Sequence, residues 1–199
     1  MSVSGEYFDA LFANSDDPWA FRTRWYEHRK RDLTLAALPR QRYGRIFEPG
    51  CANGELSLRL AERCDALLCM DLSPRAVALA RDRLSTHGHV QVLEGCLPQD
   101  WPAGEFDLVV ISEWAYYLTP DAFGEIIERI RESLTPDGAV LACHWLHPIE
   151  GCPMEGHEVH QVLARHLAME RMLHHAERDF LLEMWSKDPR EIDLNEAVR

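Results

Sequence analysis

Apolar runs alternate with amphipathic stretches along most of this 199-residue chain. Arg45 to Glu48 is a short strand candidate. It leads into a loop of small residues and then into a helical pattern from Glu55 to Cys64, with Leu56, Leu60 and Cys64 on one stripe. "ALLCMD", Ala66 to Asp71, is a continuous apolar run ending in an acid, the pattern of a strand covered on both faces. Ser73 as N-cap and Pro74 at the first helical position open the next helix, in which Ala76, Val77, Ala80 and Leu84 keep helical spacing. Val90 to Leu93 and Phe106 to Ser112 predict further strands. Thr119 and Pro120 start another helix, whose Phe123, Ile126, Ile127, Ile130 and Leu134 share an apolar face. "TPDG", Thr135 to Gly138, then predicts a turn before the strand Ala139 to Trp145.

Five buried strands separated by helices predict an α/β fold, a doubly wound, Rossmann-like and mostly parallel sheet with helices on both faces. The pattern changes after Trp145. "HPIEGCPMEG" reads as a loop and His157 to Ala168 as a helix. "MERMLHH" and "DFLLEMWSK", joined by "AER", predict a C-terminal antiparallel hairpin. The expected organisation is one domain over residues 1–199, with an N-terminal helical cap over 1–44, a core over 45–187 and a polar tail over 188–199.

Composition removes several functions. A formal net charge of −12 opposes a phosphate backbone, so no nucleic-acid partner is expected. No apolar run is long enough to span a bilayer and the first residues, MSVSGEYFDA, lack the basic and apolar regions of a secretory signal, so the expectation is a cytoplasmic protein without a membrane partner. The six cysteines, Cys51, Cys64, Cys69, Cys96, Cys143 and Cys152, form no Cys-x-x-Cys pair and read as reduced, buried thiols. One stretch is basic: between Arg22 and Arg45 eight Arg and Lys residues face only Glu27 and Asp32. The solvated face of an N-terminal helix accounts for it, with a local anion site as the alternative.

The loop in "RIFEPGCANGELSLRLAE" holds the chemistry. Gly50, Ala52 and Gly54 let the backbone approach a ligand, and the helix that follows presents unpaired N–H groups. The G-x-G-x-x-G spacing of a dinucleotide site is missing, and Glu48 just before the loop would repel a pyrophosphate. An acid there suits a cationic group. Asp71, ending the second strand roughly twenty residues beyond the loop, is placed to bind both hydroxyls of a ribose. Together they point to a nucleoside with a positively charged tail.

Glu48 to Gly54 with Asp71 resemble the first motifs of class I S-adenosylmethionine-dependent methyltransferases. The terminal strand pair is similar to that family's closing hairpin, and the resemblance covers almost the whole chain. Within the family, "SDDPWAFRTRWYEHRK", "EPGCANG", "SEWAYYL" and "DFLLEMWS" are most similar to the nodulation protein S group, which N-methylates the free amine of a deacetylated amino sugar. Two positions depart from the family pattern. Ala52 replaces the middle glycine, and Cys96 stands where many members carry an acidic or amide contact to the adenine, which leaves packing or backbone contacts to Cys96 and Leu97. The resemblance implies S-adenosyl-L-methionine as cofactor, held by Glu48, Gly50, Ala52, Gly54, Asp71, Leu72, Cys96, Leu97 and Ser112. Trp19, Tyr26 and Lys30 are implied as a lid over it, their alternatives being core packing for the two aromatics and solvent for Lys30.

Methyl transfer from a sulfonium is an in-line displacement, so the protein has mainly to align the acceptor, exclude water and keep the acceptor unprotonated. Glu113 in "SEW" is similar to the glutamate with which protein arginine methyltransferases hold a cationic substrate, although their second glutamate has no clear counterpart in this sequence. Tyr116 and Tyr117 line the pocket or pack. His144 ends the fifth strand and His147 follows it, with a catalytic role for His144 set against a structural one. His157 and His160 lack the H-E-x-x-H spacing, and no metal is expected. The expected function is N-methylation of a small amine such as an amino sugar by a monomer or homodimer, with Glu113, His144 and Tyr117 as catalytic candidates. Two alternatives stay open, an O-methyltransferase on a sugar or small acid and a sensor that binds S-adenosylmethionine without turnover.

Overall fold

The computed structural model describes residues 2–188, so the polar tail expected over 188–199 lies outside the described residues from position 189 onward. Two helices, α1 (Gly5–Asn14) and α2 (Trp25–Ala36), precede β1 (Tyr43–Pro49), α3 (Glu55–Ala61), β2 (Cys64–Asp71), α4 (Pro74–Arg83), β3 (Val90–Glu94) and β4 (Phe106–Ser112). A 3-10 turn, Ala115–Tyr117, leads to α5 (Pro120–Ser133), β5 (Leu134–Trp145), α6 (Gly156–His166), β6 (Glu170–Ala176) and β7 (Phe180–Ser186).

The seven strands form one sheet in the order β3-β2-β1-β4-β5-β7-β6. Strands β1 to β5 pair in parallel, and β7 runs antiparallel between β5 and β6. The hairpin therefore enters by its second strand. Burial explains the choice: β7 is almost wholly covered, whereas β6 is exposed or half-buried along its length and suits the edge.

Strand residues alternate between two apolar layers, because a parallel sheet with helices on both faces must bury both. Ile46, Leu67, Cys69, Leu108, Leu141 and Cys143 join α2, α3 and α4 on one face. Phe47, Leu68, Met70, Val109, Val140 and Ala142 join α5 and α6 on the other. The strand order reverses between β1 and β4, which pair directly, and ligands of open α/β sheets bind in the crevice at such a point.

Local signals act as their chemistry requires, with four corrections. Thr119 caps α5, its side chain accepting from the Ala122 N–H, with Pro120 at the first helical position. Pro74 likewise opens α4, but the Ser73 hydroxyl donates to Asp9 Oδ1 at 2.9 Å instead of capping the helix. Helix α3 stops at Ala61, and Cys64 begins β2 rather than ending the helical stripe. Leu134 and the TPDG turn are absorbed into β5, where Phe106 pairs with Leu134 and Leu108 with Ala139, so residues 135–138 bulge out of the ladder. Of the six free cysteines Cys96 is exposed and Cys152 half-buried, so the expectation of buried thiols is right for the other four alone.

Candidate active site

Between β1 and α3 the backbone turns on three residues of positive φ, Gly50 (+70°), Ala52 (+49°) and Gly54 (+78°). Two of the three reasons for small residues are packing against neighbouring elements. A Cβ at Gly50 would lie 2.6 Å from the Trp114 ring, and one at Gly54 would lie 3.2 Å from the Ala80 Cα on α4. Ala52 adopts the left-handed conformation at a cost of roughly 1–2 kcal/mol. Its N–H donates to Asp71 Oδ2 at 2.9 Å, while Asp71 Oδ1 accepts from the Ser73 N–H at 3.0 Å. Asp71 thus ties the loop to the end of β2. Burial raises its carboxyl above the ordinary range, against the pull of these backbone donors.

Below the loop Glu48 is almost fully buried, with the Cys69 thiol 3.6 Å from Oε2. Loss of water pushes its carboxyl up to about 8. The N-terminal segment is tied across the loop from above: Asn53 Nδ2 donates to the Asp16 carbonyl at 3.0 Å and to Asp17 Oδ1 at 3.1 Å. Trp19 stacks on Phe21 and meets Phe12 edge-on.

These elements enclose a cavity of about 1030 Å³. Of the fifteen candidate residues, twelve line it: Trp19, Lys30, Glu48, Gly50, Ala52, Asp71, Leu72, Cys96, Leu97, Ser112, Glu113 and Tyr117. Tyr26, Gly54 and His144 do not. Tyr26 points into the packing between Trp145 and Phe180. Gly54 serves the contact of the loop with α4.

Glu113 follows β4 in a positive-φ conformation (+62°), and its carboxylate is surrounded. Lys30 Nζ donates to Oε1 at 2.6 Å; the Tyr116 hydroxyl and the Trp145 N–H donate to Oε2 at 2.8 and 3.1 Å. Three of about four acceptor positions of a carboxylate are used, leaving one on the Oε1 side. Lys30 is buried rather than solvated. It also lies 3.0 Å from Glu27 Oε2 and 5.0 Å from the centre of the Tyr26 ring. Burial alone would push its ammonium down, but Glu113 and Glu27 outweigh that and hold it above the ordinary lysine range. Tyr116 and Tyr117 are both buried, which raises both phenols, so neither is a ready base.

His144 lies on the other face. Its Nδ1 is 3.2 Å from His160 Nε2 on α6, and His160 Nδ1 is 2.8 Å from Glu183 Oε2 on β7, where Arg171 and His174 hold the other oxygen. Burial keeps His144 neutral, well below the ordinary imidazole range. The chain of contacts runs away from the cavity. Among the described residues, no group of three or more His, Cys, Asp or Glu side chains is arranged to hold a metal ion, and no helix is long and apolar enough to cross a membrane.

The methyltransferase-domain family profile matches residues 46–138. A protein from Pseudomonas syringae described as a methyltransferase is 54% identical in its crystal structure, which superposes with a TM-score of 0.75 over 82% of this chain and 99% of that one. The chain belongs to the class I S-adenosylmethionine-dependent methyltransferases. Nodulation protein S of Sinorhizobium fredii is 29% identical over 129 residues, which are 64% of this methyltransferase and 60% of that protein, so the match spans less than two thirds of that relative. The N-methyltransferase NodS from Bradyrhizobium japonicum, solved with S-adenosyl-L-homocysteine, shares the fold at 24% identity, with a TM-score of 0.80 over 91% of this chain and 96% of that one.

The residues of this methyltransferase fit the family's cofactor. Asp71 presents a carboxylate held by two backbone donors at the β2 end, and Glu48 is a second carboxyl beneath a loop stripped of side chains at Gly50. A buried carboxyl without a cationic partner is costly, and a cationic tail beside Glu48 would relieve that cost. Trp114, Trp145 and Glu27 are among the lining residues that were not picked out from the sequence as site residues. Glu27 and Lys30 carry the i,i+3 spacing of a helical ion pair, a signal present in "EHRK". The tryptophans carry none, because their position depends on how two strand ends meet.

Proposed function

We propose that this methyltransferase uses S-adenosyl-L-methionine to N-methylate a small amine, with amino sugars first among the candidates. The observation that carries the reading is the Glu113 carboxylate, held at the junction of the β4 and β5 ends by Lys30, Tyr116 and the Trp145 N–H, in a cavity walled by aromatic rings. A fixed carboxylate attracts an ammonium group and orients it with little entropy loss, because its own geometry is already set. Similarity to nodulation protein S supports the same acceptor class.

When bound, S-adenosylmethionine supplies an electrophilic methyl group on a sulfonium. Asp71 would take the ribose hydroxyls and Glu48 the cationic tail, with Leu72, Cys96 and Leu97 against the base and Ser112 beside it. Trp19, with Phe21 and Phe12 behind it, keeps water from the site. Amines with pKa values of roughly 7.7 to 8, as for an α-amino group, shed a proton near neutral pH, so a strong general base is unnecessary. That suits a site where the phenols are raised and His144 is turned away.

The test is S-adenosylhomocysteine release from a panel of amines, amino sugars, alcohols and small acids. Turnover on amines supports the reading. Turnover confined to hydroxyl or carboxyl acceptors replaces it with O-methylation, and cofactor binding without turnover on any acceptor replaces it with a sensor.

A further inference from the structure

Glu27, on α2, lines the cavity beside Lys30 and Glu113, yet it has no role in the site so far described. Its side chain is only 9% exposed. Oε2 is 3.0 Å from Lys30 Nζ, and among the described residues no donor reaches the other oxygen. The three groups are unequal in number: two carboxylates share one ammonium. Other charged groups on this wall are engaged or solvated. Arg31 and Arg83 lie 4.0 and 2.8 Å from Glu55, and Arg24 is exposed at the mouth, 5.8 Å from the Tyr26 ring centre. A carboxylate so far removed from water is stable only when paired and hydrogen-bonded, and half of this one faces the cavity without a partner.

We infer that Glu27 is a binding residue for the amino group of the acceptor, its free oxygen supplying the second carboxylate of an amine clamp whose first is Glu113. Lys30 lies between the two and holds both in place, so an entering ammonium completes an alternating array of two anions and two cations. The inference rests on the amine reading above and adds the specificity residue: the site takes primary or secondary amines that keep an N–H to donate, and disfavours alcohols of the same shape.

The experiment follows quenching of tryptophan fluorescence, which Trp19, Trp114 and Trp145 on the cavity wall make sensitive to occupancy. The probes are benzylamine and benzyl alcohol, of equal shape and different charge. Wild type is expected to bind the amine at least about tenfold tighter, the scale of one hydrogen bond to a charged group. Glu27→Gln should bring the two probes within about threefold of one another, while its affinity for S-adenosylhomocysteine and its melting temperature stay close to wild type. An undiminished amine preference in Glu27→Gln, or none in wild type, overturns the inference. Should Glu27→Gln fail to fold, Glu27→Asp decides: amine affinity is expected to fall with alcohol affinity constant, and an unchanged amine affinity overturns the assignment. If the preference holds but no amine is methylated, the reading of the reaction fails and the binding assignment stands.

Discussion

Lys30 on α2 and Glu113 after β4, 83 residues apart in the chain, meet as a buried ion pair with Nζ 2.6 Å from Oε1. The contact fastens the N-terminal helix to the junction of two strand ends, and the second carboxylate, Glu27, draws on the same ammonium. Removing the lysine leaves two buried carboxylates without their cation. Lys30→Met is expected to destabilise the protein by about 3–5 kcal/mol, the cost of breaking a buried pair from one side. Urea unfolding of Lys30→Met, Glu113→Gln and the double variant checks it: the double variant should be less damaged than the sum of the singles, and strict additivity would mean that the pair is not coupled.

Asp71 has a structural as well as a ligand-binding task. Asp71→Ala is expected to weaken S-adenosylhomocysteine binding by about 1.5–3 kcal/mol, the range for hydrogen bonds to a charged group. It also strips the Ala52 and Ser73 N–H groups of their acceptor, so a stability loss of about 1–3 kcal/mol should accompany it. Calorimetry of ligand binding together with thermal unfolding separates the two effects.

Glu48 makes stability depend on pH in a direction opposite to that of a salt-bridged acid. Burial holds its folded-state pKa at about 8, against 4.5 for an unburied glutamate. Between these values the unfolded chain has released a proton that the folded chain keeps, so stability declines as pH rises from about 4.5 to 8 and is level beyond. The full effect is on the order of 5 kcal/mol. Glu48→Gln should remove this slope, seen as a gain over wild type in urea unfolding that is larger at pH 8 than at pH 5. Equal differences at the two pH values would refute the assignment.

His144 gives the reverse sign. Its folded-state pKa lies well below 6.5, so the stability it contributes is present above pH 6.5 and declines as the solution is acidified and the unfolded chain takes up protons. His144→Leu should flatten the stability profile on the acid side of pH 6.5 and lower stability near neutral pH through the lost contact with His160. Turnover of the folded variant should remain within about threefold of wild type. A collapse of turnover with cofactor affinity intact would return His144 to the chemistry.

Much of the site was legible because it is local. Gly50, Ala52, Gly54 and Asp71 announce a ligand through backbone freedom and spacing along a strand-loop-helix unit, and the pattern of apolar runs marks the strands that carry them. Less legible were the facing directions. His144 and Cys143 are neighbours on β5, yet alternation along the strand sends Cys143 toward α2 and His144 toward α6, and which layer adjoins the cavity is settled by helices distant in sequence. Lys30 could be read as solvated because its partner lies 83 positions away. The insertion of β7 between β5 and β6 was open for a like reason, since a hairpin can add either strand to a sheet edge until burial selects the more apolar one.

By itself, then, the sequence determined the α/β class, the glycine loop with its spaced acid and the C-terminal hairpin, since each depends on periodicity or on the conformational needs of adjacent residues. Only the tertiary structure decided that Lys30 bridges Glu27 and Glu113, that Asp71 anchors the loop it serves, and that His144 turns away from the cavity. Those outcomes follow from burial and charge pairing among segments that have no contact until the sheet is assembled.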